Sequence, residues 1–276
     1  MKYSSKAEPP ILLIQGGAGS KGSTEKLLTC RQTIISEVIA QVWPLLLDGA
    51  SAIETVSLAV ELLEACPHFN AGLGATLQSD GMVRLSASLM DGKKENFSGV
   101  VLATHIIHPS KLAYVLQQKE NTVVGPLGAQ LLARELGIPP ENPITTEQAS
   151  RWISYHQEKT PDQHGTVGAV ALDQKGHLAS ATSTGGSGTN TPERISDSAT
   201  VAGNYASNFA AISCTGIGEQ IVNDGVSVRI ETRVRDGKSI IAASGLGYQE
   251  VIEIRNMVGL ELTGKDIGLC IVLQII

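Results

Sequence analysis

The stretch "PDQHGTVGAVALDQKGHLASATSTGG", Pro161 to Gly186, decides how the chain is read. The polar, breaker-rich run "EKTPDQHG" ahead of Thr166 reads as an exposed loop. From Thr166 to Leu172 small and β-branched residues alternate, which predicts a strand, and His177–Thr184 predicts a second. Asp173–Gly176 between them has hairpin chemistry. Thr166 therefore stands where a flexible loop becomes a buried strand, with Gly165 immediately before it. Any β-former can begin a strand. A Gly–Thr bond at such a seam is also what a chain needs if it is to be cut there.

Working outward, "PILLIQGGAG" reads as a short strand ending in a glycine turn, followed by a long helical pattern, "TEKLLTCRQTIISEVIAQVWPLLLDG", broken or ended near Pro44 and Gly49. In "SAIETVSLAVELLEAC" Ile53, Val56, Ala59, Val60, Leu63 and Cys66 recur at helical spacing, and Ser51 with Glu54 offers a capping box. "MVRLSASLMDG" and "FSGVVLATHIIH" predict strands; "SKLAYVLQQ", "GPLGAQLLAREL" and a segment ending near Gln157 predict helices. Beyond the hairpin come a Gly/Ser/Thr-rich loop from Gly185 to Pro192, helical patterns at Glu219–Arg235 and Gly247–Met257, and a closing strand "IGLCIVLQII". Strands in groups with helices on either side suit sheets covered by helical layers better than a regular βαβ alternation.

The totals narrow the function classes. The chain has 276 residues, 42% apolar and 17% charged, as in an ordinary globular protein able to bury a sizeable core. Aromatics are 4% against 29 glycines, so the core is expected to be aliphatic and closely approached by backbone. A net charge of −6 without a Lys/Arg cluster argues against nucleic acid. No apolar run is long enough to span a membrane, and "ILLI" is too short for a signal-peptide core. Cys30, Cys66, Cys214 and Cys270 form no C-x-x-C pair, which suits core thiols in a reducing cytoplasm.

Several sites fail on their own chemistry. "ILLIQGGAGSKGST" resembles a phosphate loop, but Lys21 precedes Gly22 where the P-loop needs the reverse order; a turn whose backbone approaches another part of the protein is the better reading. His105 and His108, at i, i+3 in an expected strand, would point to opposite faces, and neither has a partner at zinc spacing. G-x-S-x-G is absent.

Thr166 is different. A threonine hydroxyl is a poor nucleophile unless a base stands beside it, and an N-terminal threonine carries one in its own α-amine, with a reference pKa of about 7.7–8.0. "HGTVGAVALDQKGHLASATSTGG" resembles the nucleophile region of plant-type asparaginases and isoaspartyl peptidases, the threonine-type N-terminal-nucleophile (Ntn) hydrolases. "QGGAG", "CPHFNAGLGATLQSDG" with "SASLMDG", and "ERISDSATVAGNYASNFAAISCTGIGE" fall in that family's order, so the likeness runs from residue 10 to about 220. Glycine before the threonine resembles the asparaginase branch more than the glycosylasparaginase branch, which usually has aspartate there.

The resemblance implies a four-layer αββα sandwich, one α/β domain over residues 1–276, cut between Gly165 and Thr166 into subunits 1–165 and 166–276. It implies that Thr166 attacks β-aspartyl amides, that Thr184 stands beside it, and that Thr215 and the Gly216 N–H form an oxyanion hole. Arg194 matches the residue that grips the substrate α-carboxylate, Asp197 the partner of its α-ammonium, and Asn70 a residue near the active site. By themselves, Arg194-x-x-Asp197 also reads as a surface ion pair and "TGIG" as a helix N-cap. The family needs no dissociable cofactor. The loop from Leu63 to Leu73 resembles one that wraps a structural sodium ion through the carbonyls of Leu63, Glu64, Cys66, Phe69, Ala71 and Leu73. The implied partners are small-molecule or dipeptide substrates and a second copy in a homodimer.

The chain also departs from the pattern. Gln15 replaces the histidine of His-Gly-Gly, and "ERISDSA" replaces Gly-Arg-Val-Gly-Asp-Ser-Pro, which sets Glu193 beside Arg194 as a competitor and Ser196 in place of a glycine. "GKDIGLCIVLQII" stops where family members carry a further strand pair. Two other readings stay open: an uncut, catalytically silent homologue acting by binding, and a glycosylasparaginase.

Overall fold

The computed structural model describes residues 10–18, 25–158, 165–188, 190–247 and 269–274. In chain order the elements are β1 (Ile11–Gln15), α1 (Glu25–Leu47), α2 (Ala52–Glu64), β2 (Leu85–Asp91), β3 (Asn96–Ala103), α3 (Pro109–Leu116), β4 (Val123–Val124), α4 (Pro126–Glu135), α5 (Thr146–Glu158), β5 (Val167–Leu172), β6 (Leu178–Thr184), β7 (Asn204–Ala206), β8 (Ala210–Thr215), α6 (Gly218–Asp224), α7 (Val226–Arg235) and β9 (Leu269–Gln274). Among the described residues the strands form a six-stranded sheet in the order β1-β5-β6-β2-β3-β4 and a three-stranded sheet in the order β7-β8-β9.

Period-2 alternation sorts the central hairpin onto two faces. Val167, Ala169, Ala171, Ala179 and Ala181 pack with Val56, Val60 and Leu63 of α2 and with Leu112 of α3. Their neighbours Val170, Leu172 and Leu178 pack against Ala206 and Ala211 of the small sheet. On its other face that sheet offers Ala210, Ile212 and Cys214 to Ile221, Ile230 and Val234 of α6 and α7. The layers are therefore helix, sheet, sheet, helix, the αββα arrangement expected from the sequence. Where the sheets come closest, small residues replace aliphatic bulk: a methyl group on Gly168 would lie 2.0 Å from Ser213 Oγ, and Ser213 Oγ meets Thr182 Oγ1 at 2.6 Å.

The hairpin folds as its sequence dictates. Asp173 N donates to the His177 carbonyl at 3.0 Å and Gly176 takes φ +78°, which glycine alone adopts cheaply. The α2 capping box forms in full, with Ser51 Oγ accepting from Glu54 N and Glu54 Oε2 accepting from Ser51 N. Pro44 does not end α1: it lies exposed in the last turn, where water can satisfy the carbonyl that loses its donor.

Three sequence expectations are corrected, and a fourth lies outside the described residues. The pattern over Glu219–Arg235 is two helices, because Gly225 takes φ +55° and turns the chain between α6 and α7. β3 stops at Ala103, so His105 and His108 are not in a strand; His105 has φ +61° and His108 precedes α3. Cys214 is disulfide-bonded rather than a free thiol, and the β8–β9 register sets it opposite Cys270, whereas Cys30 and Cys66 are free. Of the helix expected at Gly247–Met257 only residue 247 lies among the described residues.

Candidate active site

The hairpin register builds the centre. β5 and β6 pair Val167 with Ser183, so the next residues outward, Thr166 and Thr184, face each other. Both lie on the side turned toward the small sheet. The Thr166 hydroxyl donates to Thr184 Oγ1 at 3.0 Å, and the Gly186 N–H donates to the same oxygen at 3.0 Å. Thr184 is 3% exposed and Thr166 9%, so the pair is nearly shut off from water.

The glycine turn after β1 backs the seam. Gln15 pairs with Gly168 in the sheet, and its Oε1 accepts the Gly17 N–H at 2.9 Å. Gly17, at φ +105°, lies so close to the seam that an added Cβ would sit 2.4 Å from Gly165 Cα and 2.7 Å from its carbonyl carbon. This is the backbone approach that the sequence suggested for "QGGAG". The next residue reaches the small sheet, where Ala18 N donates to Thr215 Oγ1 at 3.3 Å. One turn thus touches both Gly165 and Thr215, and Gly216 follows at φ +153°. The amide nitrogen of Gln15 is buried without a hydrogen-bond partner.

Asn70 ties the neighbouring loops together. Its Nδ2 donates to the Gly186 carbonyl at 2.5 Å, its Oδ1 accepts from Thr76 N at 3.0 Å, and its carbonyl accepts from Gly185 N at 3.0 Å. Asn70 therefore fixes the residues directly after Thr184.

Arg194 and Asp197 meet around Gly218, where an added Cβ would lie 2.7 Å from Asp197 Oδ1 and 3.0 Å from Arg194 Nη2. Asp197 is 3% exposed, its Oδ2 has no hydrogen-bond partner, and burial pushes its pKa up to about 6. Burial outweighs the nearby Arg194 charge. Glu193, expected to compete for Arg194, does not hold it. That role falls to Glu219, which the sequence reading missed: its Oε1 accepts from Arg194 Nε at 2.6 Å and lies 2.5 Å from Nη2. Glu193 instead takes φ +64°, the conformation a glycine would hold without strain. Ser196 is extended at φ −116°, ψ −163°, so no glycine is needed there.

The loop from Leu63 to Leu73 is folded tightly on its own carbonyls. A Cβ on Gly72 would lie 2.0 Å from the Glu64 oxygen, and one on Gly74 2.0 Å from the Phe69 oxygen. Only glycine fits at either position. The Glu64 side chain has a separate place. Fully buried, it accepts from Ser183 Oγ and Ser110 Oγ, both at 2.6 Å, and lies 3.5 Å from His108 Nδ1. Burial raises its pKa, while its carboxylate raises that of His108. The carboxyl group thereby holds β6 from behind, one residue from Thr184. No cluster of side chains among the described residues could hold a metal.

Gly165 also lines a narrow cleft with Arg31 of α1, His68, Asn70, Thr76 and Arg151 of α5. Arg31 Nε donates to the His68 carbonyl at 2.8 Å, and Arg151 Nη2 to Glu147 Oε1 at 2.6 Å.

Comparison with known proteins agrees with the geometry. The model of the family described as Asparaginase matches residues 8–264. A Synechocystis protein named isoaspartyl peptidase/L-asparaginase is 40% identical over 259 residues, covering 88% of this chain and 78% of its own. A Nostoc protein of the same name is 43% identical over 252 residues, 84% of this chain and 78% of its own. A human one is 33% identical over 270 residues, 93% and 87% respectively. A family model that covers most of the chain, on a fold that sets Thr166 beside Thr184 at the Gly165 seam, shows that this chain belongs to the asparaginase family.

Proposed function

We propose that the chain is a self-cleaving threonine amidohydrolase that acts on β-aspartyl bonds, in isoaspartyl peptides, L-asparagine or both. The observation that carries this is the Thr166 hydroxyl, bonded to Thr184 at 3.0 Å and adjoining a Gly165 carbonyl backed by Gly17. The shared name of the relatives supports the substrate class.

In self-cleavage Thr166 Oγ1 bonds to the Gly165 carbonyl carbon, the Gly165–Thr166 C–N bond breaks, and the hydroxyl proton ends on the Thr166 nitrogen. Thr184 accepts that hydroxyl hydrogen beforehand, which turns the nucleophile's lone pairs away from Thr184. Water then cleaves the ester, giving a carboxylate at Gly165 and a free Thr166 with its α-amine as base. In turnover Thr166 attacks the substrate's β-carbonyl, the amine relays the proton to the leaving nitrogen, and water releases aspartate.

The neighbours take roles their contacts support. Thr215 Oγ1 already accepts Ala18 N–H, so its hydroxyl hydrogen is available to an oxyanion, with the Gly216 N–H as second donor. Arg194 would hold the α-carboxylate as a fork, and the α-ammonium would give Asp197 Oδ2 the partner it lacks. A sodium ion on the carbonyls of Leu63, Glu64, Cys66, Phe69, Ala71 and Leu73 would hold the loop that ends in Asn70. We further propose one domain cut into 1–165 and 166–276, a homodimer, and a cytoplasmic location. No helix among the described residues is long and apolar enough to cross a membrane. The disulfide at Cys214 is the feature that sits least easily with a reducing compartment.

Intact-mass spectrometry, fresh and after incubation near neutral pH, tests the reading. Two fragments, the second beginning at Thr166, with hydrolysis of asparagine or β-aspartyl dipeptides, are expected. A single species of 29.0 kDa that never splits and hydrolyses neither would overturn it.

A further inference from the structure

Arg194, assigned above to the substrate's α-carboxylate, already carries an anion. Glu219 Oε1 accepts from its Nε at 2.6 Å and lies 2.5 Å from Nη2, so one carboxylate oxygen takes the side edge of the guanidinium. The other edge, Nη1 with Nη2, is the one a substrate can meet as a fork. Nη2 and Asp197 Oδ1 converge on Gly218, where an added Cβ would stand 3.0 Å from the first and 2.7 Å from the second. The Arg194 side chain is 15% exposed and that of Glu219 60%, so the pair is shielded at the arginine and wet at the glutamate. Burial dominates the raised pKa of Asp197; of the two charges that act on it, Arg194 lowers it and Glu219 raises it. The charge of Glu219 therefore reaches the place where the substrate's head is held.

We infer that Glu219 is a specificity-determining residue, which makes the site select α-amino acids over the same acids without the α-ammonium. The inference rests on the function proposed above and deepens it. With Asp197 ionised, the empty site sets one positive charge against two negative ones. A carboxylate arriving alone adds a third negative charge beside a cation that is already paired. A zwitterionic head adds one charge of each sign, and its ammonium meets Asp197 Oδ2, the oxygen without a partner. Without the charge of Glu219, Arg194 would attract either head. Glu219 thus acts chiefly by repulsion of the wrong ligand, the part of specificity that attractive contacts do not supply. Its geometry serves the right ligand as well, because holding the Nε edge turns the Nη1–Nη2 fork to the substrate.

Succinate and L-aspartate differ by the α-ammonium alone. The ratio of their inhibition constants against asparagine hydrolysis by the processed protein therefore reads this discrimination with the rest of the site in common. The wild type is expected to bind succinate more weakly than aspartate. Glu219→Gln keeps an oxygen to accept from Arg194 Nε and removes the charge. It is expected to lower the succinate-to-aspartate ratio about tenfold, mainly through tighter succinate, the equivalent of about 1.4 kcal/mol. Glu219→Ala should lower the ratio as far and weaken aspartate too, because Arg194 then loses the group that orients it. Glu219 is exposed, so both variants should fold. Equal inhibition by the two acids in the wild type, or a ratio that Glu219→Gln leaves unchanged in protein that still hydrolyses asparagine, overturns the role of Glu219 alone. A chain that stays uncut and hydrolyses neither asparagine nor β-aspartyl dipeptides overturns the proposed function and this inference with it.

Discussion

Replacing Asp197 by asparagine should make the empty protein more stable while abolishing its hold on the substrate. The Asp197 carboxyl is raised from 3.8 to about 6, chiefly by burial, with one oxygen unpartnered. A rise of roughly 2 pKa units, at about 1.36 kcal/mol each, is about 3 kcal/mol against the ionised native state. The folded pKa lies above the unfolded value. The favourable contribution is therefore fully present below pH 3.8 and lost as pH rises through about 6. At pH 8 the native protein carries the whole penalty, and asparagine, of the same shape, removes it. The amide nitrogen lacks an acceptor, so the expected gain is about 1–3 kcal/mol rather than the upper figure. Urea unfolding of Thr166→Ala with and without Asp197→Asn, a background chosen to keep one chain, should show this gain at pH 8 and convergence toward pH 4. Isothermal titration with aspartate should show binding lost. A variant less stable than its parent at pH 8, or a difference independent of pH, would refute the reasoning.

Other expectations are open to direct measurement. Thr166→Ala should remain a single 29.0 kDa species on denaturing gels, and Thr184→Val should slow fragment appearance by about tenfold, the scale of one lost orienting hydrogen bond of about 1 kcal/mol. Gly17→Ala forces a Cβ to within 2.4 Å of Gly165 Cα from a positive φ, so cleavage should be blocked or distorted at a seam it does not itself contain; mass spectrometry reads this directly. Glu193→Gly relieves a left-handed glutamate at φ +64° and should raise the urea midpoint by the equivalent of about 1 kcal/mol. Substrate KM should fall as pH rises from 5 to 7, since Asp197 must ionise to receive an ammonium, and Asp197→Glu should shift that profile.

Much of the centre could be read by counting. The Asp173–Gly176 turn fixes the register, and symmetric counting outward sets Thr166 opposite Thr184 without knowledge of the rest of the fold. Local signals carried the α2 capping box and the turn after β1 in the same way. What the sequence concealed depends on long-range packing. Nothing near Arg194 points to Glu219, 25 residues on, because α6 delivers it across Gly218. Glu64 looks like an ordinary polar residue at the end of a helix, yet its carboxyl group is enclosed by Ser110 and Ser183 from two other elements. The arginines of the cleft come from α1 and α5. The histidines were misplaced because "ATHIIH" has strand-forming residues, while the backbone turns at His105.

The strand order of the large sheet has one more consequence. A cut at Gly165 leaves β1 to β4 on one polypeptide and β5 and β6 on the other, yet the sheet runs β1-β5-β6-β2-β3-β4. The second polypeptide thus supplies the two strands between β1 and β2, hydrogen-bonded to the first on either side. Breaking one covalent bond at the rim frees neither piece, so the native assembly should hold together without a linker. Once unfolded, however, it must rebuild that sheet by collision of two separate molecules. Reassembly becomes second order, slower at every dilution, and durability after processing rests on a barrier to opening rather than on an equilibrium that can be revisited.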